Sequence, residues 1–103
     1  MTDLPTPVAA YFAARTPEQI ADCFAVDGVA FDEGHTYTGR DEILRWRAGV
    51  AGISFTQQIL TSAASDDTIA VTCRVAGNFS GSPVELHYDF RLAAGRIAQL
   101  RIT

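Results

Sequence analysis

Apolar residues recur every third or fourth position through the first half of the chain and every second position from residue 53 onward. That change of period marks a change from helix to strand. Thr6-Pro7 offers an N-cap followed by proline at the first helical position, and Val8, Tyr11, Phe12 and Arg15 follow at helical spacing, which predicts a helix over about 7–15. Thr16-Pro17-Glu18-Gln19 matches a capping box, in which the threonine hydroxyl accepts from the Gln19 N–H while the Gln19 side chain reaches back. Ile20, Cys23 and Phe24 give this short second helix its apolar face. Asp27-Gly28 breaks the period, and Val29 and Phe31 then alternate with Ala30 and Asp32 as on a strand. A turn at Glu33-Gly34 leads to a short polar strand over 35–38, and Gly39 releases the chain into a third helix. Asp41 and Glu42 in its first turn and Arg45 and Arg47 toward its end suit the helix dipole, while Ile43, Leu44, Trp46 and Val50 supply its apolar side.

Four longer strands follow, patterned as Ile53-Phe55-Gln57-Ile59, Ile69-Val71-Cys73-Val75, Leu86-Tyr88-Phe90-Leu92 and Ala98-Leu100-Ile102. Ser65-Asp66-Asp67, Ser80-Gly81-Ser82-Pro83 and Ala93-Ala94-Gly95 separate them with turn chemistry. Breaks this short imply hairpins, hence a curved antiparallel sheet. The predicted order is α-α-β-β-α-β-β-β-β, an α+β plan in which three N-terminal helices cover one face of the sheet. No linker, repeat or low-complexity stretch interrupts it, so residues 1–103 read as a single domain.

Composition narrows the function classes. At 48% hydrophobic and 19% charged residues the chain is that of an ordinary globular domain with a packed core. The net charge of −4, with eight scattered Arg and no Lys, argues against nucleic acid, which needs a concentrated basic surface. No apolar run approaches a membrane span, and the opening Met-Thr-Asp-Leu-Pro lacks the basic-then-apolar pattern of a signal peptide, so a cytoplasmic location is expected. Cys23 and Cys73 stand far apart in apolar surroundings and read as buried free thiols.

The candidates for chemistry gather between Gly28 and Ile43, where Asp32, His35 and Tyr37 fall close together around a sharp turn. Asp32 is either an acid/base group or a turn former that bonds its own backbone. His35 either lines a pocket mouth or is solvated, and Tyr11 and Trp46, on apolar helical faces, either line a ligand or pack the core. Asp32-Glu33-Gly34-His35 offers metal-ligand types, yet only one other histidine exists to complete a site, so no metal is expected. With no glycine-rich phosphate loop and no Ser or Cys nucleophile in a recognisable setting, no cofactor is implied.

The order of elements and its residues resemble the SnoaL-like family of the nuclear transport factor 2-like superfamily, which includes polyketide cyclases and ketosteroid isomerases. The likeness rests on Ala9-Ala10-Tyr11-Phe12-Ala13-Ala14, on Phe24 to Asp32, on Gly39-Arg40-Asp41-Glu42-Ile43, and on Tyr88-Asp89-Phe90-Arg91-Leu92 followed by Gly95-Arg96-Ile97. It implies a cone of helices and bent sheet around a pocket, and homodimers formed through the exposed sheet face. By this resemblance Asp32 stands where ketosteroid isomerases carry a general base and Tyr11 where they carry a hydroxyl donor. Tyr88 stands where their usual acid would be, a departure that weakens the steroid isomerase reading, although a tyrosine also donates a hydrogen bond. His87 and Asp89 tempt a cyclase-like assignment, but strand alternation with Tyr88 and Phe90 inward turns them to the other face.

Two functions follow. In one, the cone is a cofactor-independent isomerase, cyclase or dehydratase acting on a small apolar carbonyl compound, with Asp32 as base or acid, Tyr11 and Tyr88 as donors, and Trp46, Phe55 and Phe90 shaping the pocket beside His35 and Tyr37. It predicts a raised Asp32 pKa. In the other, the cone is a non-catalytic ligand-binding or dimerisation module, and Asp32 is exposed or merely bonded in its turn. With nothing past Thr103 to close the cone and ten aromatic residues to share between core and pocket, the expectation leans to the second.

Overall fold

In the computed structural model, which describes residues 4–50 and 54–103, the chain runs α1 (Thr6–Ala13), α2 (Pro17–Asp22), β1 (Phe24–Asp32), β2 (His35–Thr38), α3 (Gly39–Gly49), β3 (Phe55–Ser65), β4 (Thr68–Gly77), β5 (Val84–Ala93) and β6 (Arg96–Ile102). The order is that predicted from periodicity; Ile53, which opens the first long strand pattern, lies outside the described residues. Helix α1 starts one residue early, because Pro5 rather than Thr6 occupies the N-cap and offers no side-chain acceptor. It also stops at Ala13, and the chain turns extended at Ala14 to reach the next cap.

That cap forms as expected: the Thr16 hydroxyl accepts from the Gln19 N–H at 3.1 Å. The Gln19 side chain reaches back one residue further than the capping box requires, accepting from the Arg15 N–H at 2.6 Å. Arg40, at the start of α3, donates from Nε and Nη2 to the Phe24 carbonyl at 3.0 and 2.9 Å, which ties that helix to the beginning of β1.

Six strands form one sheet in the order β2-β1-β6-β5-β4-β3. All neighbours are antiparallel except β1 and β6, which run parallel with Ala30 opposite Leu100. The sheet is therefore mixed, not antiparallel throughout. Hairpin logic governs strands joined by a short turn, whereas β1 and β6 are joined by everything between Asp32 and Arg96, more than half of the chain, and are free of it. Irregular register between Phe24 and Val29, between Ile59 and Thr61, and between Arg91 and Leu92 bends the sheet around the helices and leaves it unclosed.

The inner face carries Ile69, Val71, Cys73 and Val75 from β4 and Tyr88 and Phe90 from β5, packed against Val8, Tyr11, Ile43 and Trp46 of the helices. In β6 both Ile97 and Leu100 are fully buried, so alternation fails there, beside the irregularity in its pairing with β5. Glu85, His87, Asp89 and Arg91 are exposed on the outer face, as alternation predicted, and His87 Nδ1 lies 3.1 Å from the Thr72 hydroxyl.

Candidate functional site

Strand phase decides where the acid points. On β1 the inward positions are Phe24, Gly28 and Ala30, while Val29 and Phe31 are half-buried and Phe31 meets the Arg101 guanidinium 4.4 Å from its ring centroid. Asp32 shares the phase of Ala30 and lines a cavity of about 370 Å³ together with Arg47, Phe55, Gln57, Phe79 and Tyr88. The turn beyond it is made by Glu33 and Gly34, both left-handed at φ 52 and 78, as a two-residue hairpin requires. Asp32 itself remains in the strand, paired with His35.

Helix α3 supplies the next layer. Trp46 donates its Nε1–H to Asp32 Oδ2 at 3.2 Å, and Tyr37 stacks on the same indole at 5.4 Å and 18°. Burial raises the Asp32 carboxyl above its ordinary range and the Glu33 charge adds to this, against the Trp46 bond, the Arg47 charge and the Glu33 N–H. Across the cavity the Tyr88 hydroxyl accepts from Gln57 Nε2 at 3.0 Å, which leaves its own proton free to donate. Burial pushes that phenol up to about 12, with the Gln57 bond opposing.

A second chamber of about 300 Å³ lies on the α1 side, lined by Tyr11, Arg15, Thr16 and Ile20 and sharing Arg47, Val50, Phe55 and Gln57 with the first. Tyr11 is 2% exposed, in edge-to-face contact with Tyr88 and Phe90 at 6.2 and 5.5 Å, and its hydroxyl finds no partner among the described residues. Burial holds its proton well above the ordinary phenol range, against the Arg47 charge. The Arg47 guanidinium sits 5.0 Å from the Trp46 ring centroid and 6.0 Å from that of Phe55, at the boundary of the two chambers.

This geometry sits in a chain whose residues 8–100 match the family model of the SnoaL-like domain. The chain belongs to the SnoaL-like family. Among solved structures, this SnoaL-like domain is 39% identical to a candidate polyketide cyclase from Sinorhizobium meliloti, over 98% of this chain and 96% of that one, with a TM-score of 0.90. It is 26% identical to a protein of ketosteroid isomerase-like fold from Catenulispora acidiphila in complex with trimethylamine, over 98% and 86% of the two chains, with a TM-score of 0.84. An LEH-like epoxide hydrolase of M. tuberculosis shares the fold at 17% identity, over 95% and 79% of the two chains, with a TM-score of 0.77. No curated protein matches the sequence.

Of the residues singled out from the SnoaL-like sequence, Asp32, Tyr88 and Phe55 meet at the first chamber and Tyr11 stands with Phe55 at the second. Trp46 and Tyr37 line a neighbouring hollow on the other side of Asp32. His35 is exposed on β2 and lines neither chamber; Phe90, 1% exposed, is core behind the two tyrosines. Among the lining residues beyond those predicted, Arg47 and Gln57 carry polar chemistry at the wall the chambers share. Arg47 was read as a dipole charge, yet it follows Ile43 by four residues and precedes Val50 by three, on the inward stripe of α3. Gln57 lies in the inward phase of Phe55-Gln57-Ile59, a polar residue among apolar ones.

Proposed function

We propose that the cone binds a small apolar carbonyl compound and that Asp32 moves a proton on it without a cofactor, as an isomerase, cyclase or dehydratase does. The observation that carries this reading is a half-buried carboxylate at a cavity wall, raised by that burial toward the pH at which a general base works best. Asp32 takes a proton from the carbon next to the carbonyl, and the electron pair moves onto the carbonyl oxygen. Tyr88, whose proton is free, donates to that oxygen. Return of the proton from Asp32 to a different carbon completes an isomerisation. The trimethylamine complex of the Catenulispora relative supports a cone of this kind as a holder of small molecules.

Proton exchange tests this directly. A panel of enolisable ketones in deuterated water, followed by NMR, should lose α-protons faster with the protein than without it. Asp32→Asn should lower that rate by about 10²–10⁴ while leaving the fold intact. Exchange that is equally fast with the Asn variant removes Asp32 from the reaction.

The SnoaL-like chain also pairs with a second copy through the outer sheet face. There Thr61, Thr72 and His87 form one cross-strand row and Ala63, Ala70, Asp89 and Arg101 another.

A further inference from the structure

The two chambers differ in charge although they share a wall. The one at Asp32 has two acids, Asp32 and Glu33, in its lining; the one at Tyr11 has Arg15 and Arg47 and no acid among the described residues. The Tyr11 chamber also carries the donors of Thr16 and Gln57. Thr16 already accepts from the Gln19 N–H, so its hydroxyl proton is the part left to offer.

Two of its groups want the same kind of partner. Tyr11 lines the chamber, and its buried hydroxyl has no hydrogen-bond partner among the described residues; a buried polar group in that condition favours any ligand that reaches and satisfies it. Arg47 is half-buried; its guanidinium lies against the rings of Trp46 and Phe55, and its charge also reaches Asp32 across the shared wall, while the Tyr11 side of it faces no acid among the described residues. A guanidinium has donors only, so it cannot satisfy another donor; an anionic oxygen accepts from both groups at once. A planar carboxylate suits the guanidinium fork best.

We infer that the Tyr11 chamber is a carboxylate subsite: the ligand of this cone is a small organic acid whose anion lies between the Arg47 guanidinium and the Tyr11 hydroxyl and whose apolar body points toward Asp32 and Tyr88. The shared wall of Arg47, Val50, Phe55 and Gln57 lets one molecule reach both chambers, and Phe79 and Leu86 receive the apolar part. This subsite holds the resting ligand and is separate from the oxygen that Tyr88 serves. The inference rests on the reading of the cone as a small-molecule pocket and not on proton transfer by Asp32.

The test uses cyclohexanecarboxylate and its neutral isostere cyclohexanecarboxamide, titrated into the protein at neutral pH by calorimetry or by amide chemical shifts. The carboxylate should bind about tenfold tighter or more, the size of a charge-assisted hydrogen bond. Arg47→Gln should abolish the preference, and Tyr11→Phe, which loses only the unpartnered hydroxyl, should reduce it, with the larger loss on the carboxylate. Equal affinity for the two probes in the native protein, or a preference that survives in both variants, overturns the subsite and leaves the pocket standing. If neither probe binds at up to about 10 mM, both the subsite and the small-molecule pocket fall.

Discussion

Tyr11 separates stability from binding in a single atom. Its hydroxyl is buried without a partner among the described residues, and the desolvation of such a group costs about 1–3 kcal/mol. Tyr11→Phe should therefore raise the unfolding free energy by about 1 kcal/mol in urea denaturation, while weakening the binding of a carboxylate. Trp46 acts in the opposite sense on Asp32, since its indole N–H bonds the charged form of the carboxylate. Trp46→Phe should raise the Asp32 pKa further, a shift that carboxyl-carbon NMR reads directly. The same carboxyl gives stability a pH dependence. Because burial raises it in the fold, its contribution is fully present below the unfolded value of roughly 4 and is lost as the pH climbs through the folded value. Asp32→Asn, neutral throughout, should gain stability relative to the native protein between about pH 4 and neutrality, measured as denaturation midpoints across pH.

At the scale of elements, what the sequence reveals depends on how local the cause is. The Thr16 cap and the Glu33-Gly34 turn were legible because a few adjacent residues determine them. The phase of β1 was not: Val29 and Phe31 alternate with Ala30 and Asp32, and apolar size alone does not say that the small Ala30 faces the core while Phe31 meets Arg101 outside. Resemblance to a family, rather than pattern, pointed Asp32 inward. Arg47 escaped because a charge near a helix end has a sufficient local explanation, and only the packing of α3 reveals its place between two chambers. The junction of β3 and β4 shows a further constraint of this kind. A Cβ at Gly77 would lie 2.2 Å from the Ser54 carbonyl oxygen and 2.7 Å from Phe55 Cα, both backbone. Gly77→Ala should destabilise by about 2 kcal/mol or more and loosen the strand end that carries Phe55 and Gln57, seen as a fall in thermal midpoint and weaker ligand binding.

At the scale of the molecule, the open sheet is the feature with most reach. On its outer face Ala63 and Ala70 lie side by side, both exposed, and an arginine there would project into any copy seated on it. On the proposed pairing through this face, Ala70→Arg should convert the dimer to a monomer in light scattering without moving the circular dichroism spectrum; an unchanged mass overturns that pairing. Six strands in the order β2-β1-β6-β5-β4-β3 put β1, which carries Asp32, beside β6, and Ala30 opposite Leu100. A ribosome delivers these partners far apart in time. Until β6 emerges, β1 has only the short hairpin with β2, and no sheet joins it to the half of the cone that holds Tyr88 and Gln57. The acid and the donor that face each other across the cavity thus meet only once β6 has been made, through one of the longest loop closures within these residues. Refolding should accordingly be paced by that closure, in the millisecond-to-second range of folds dominated by non-local pairing.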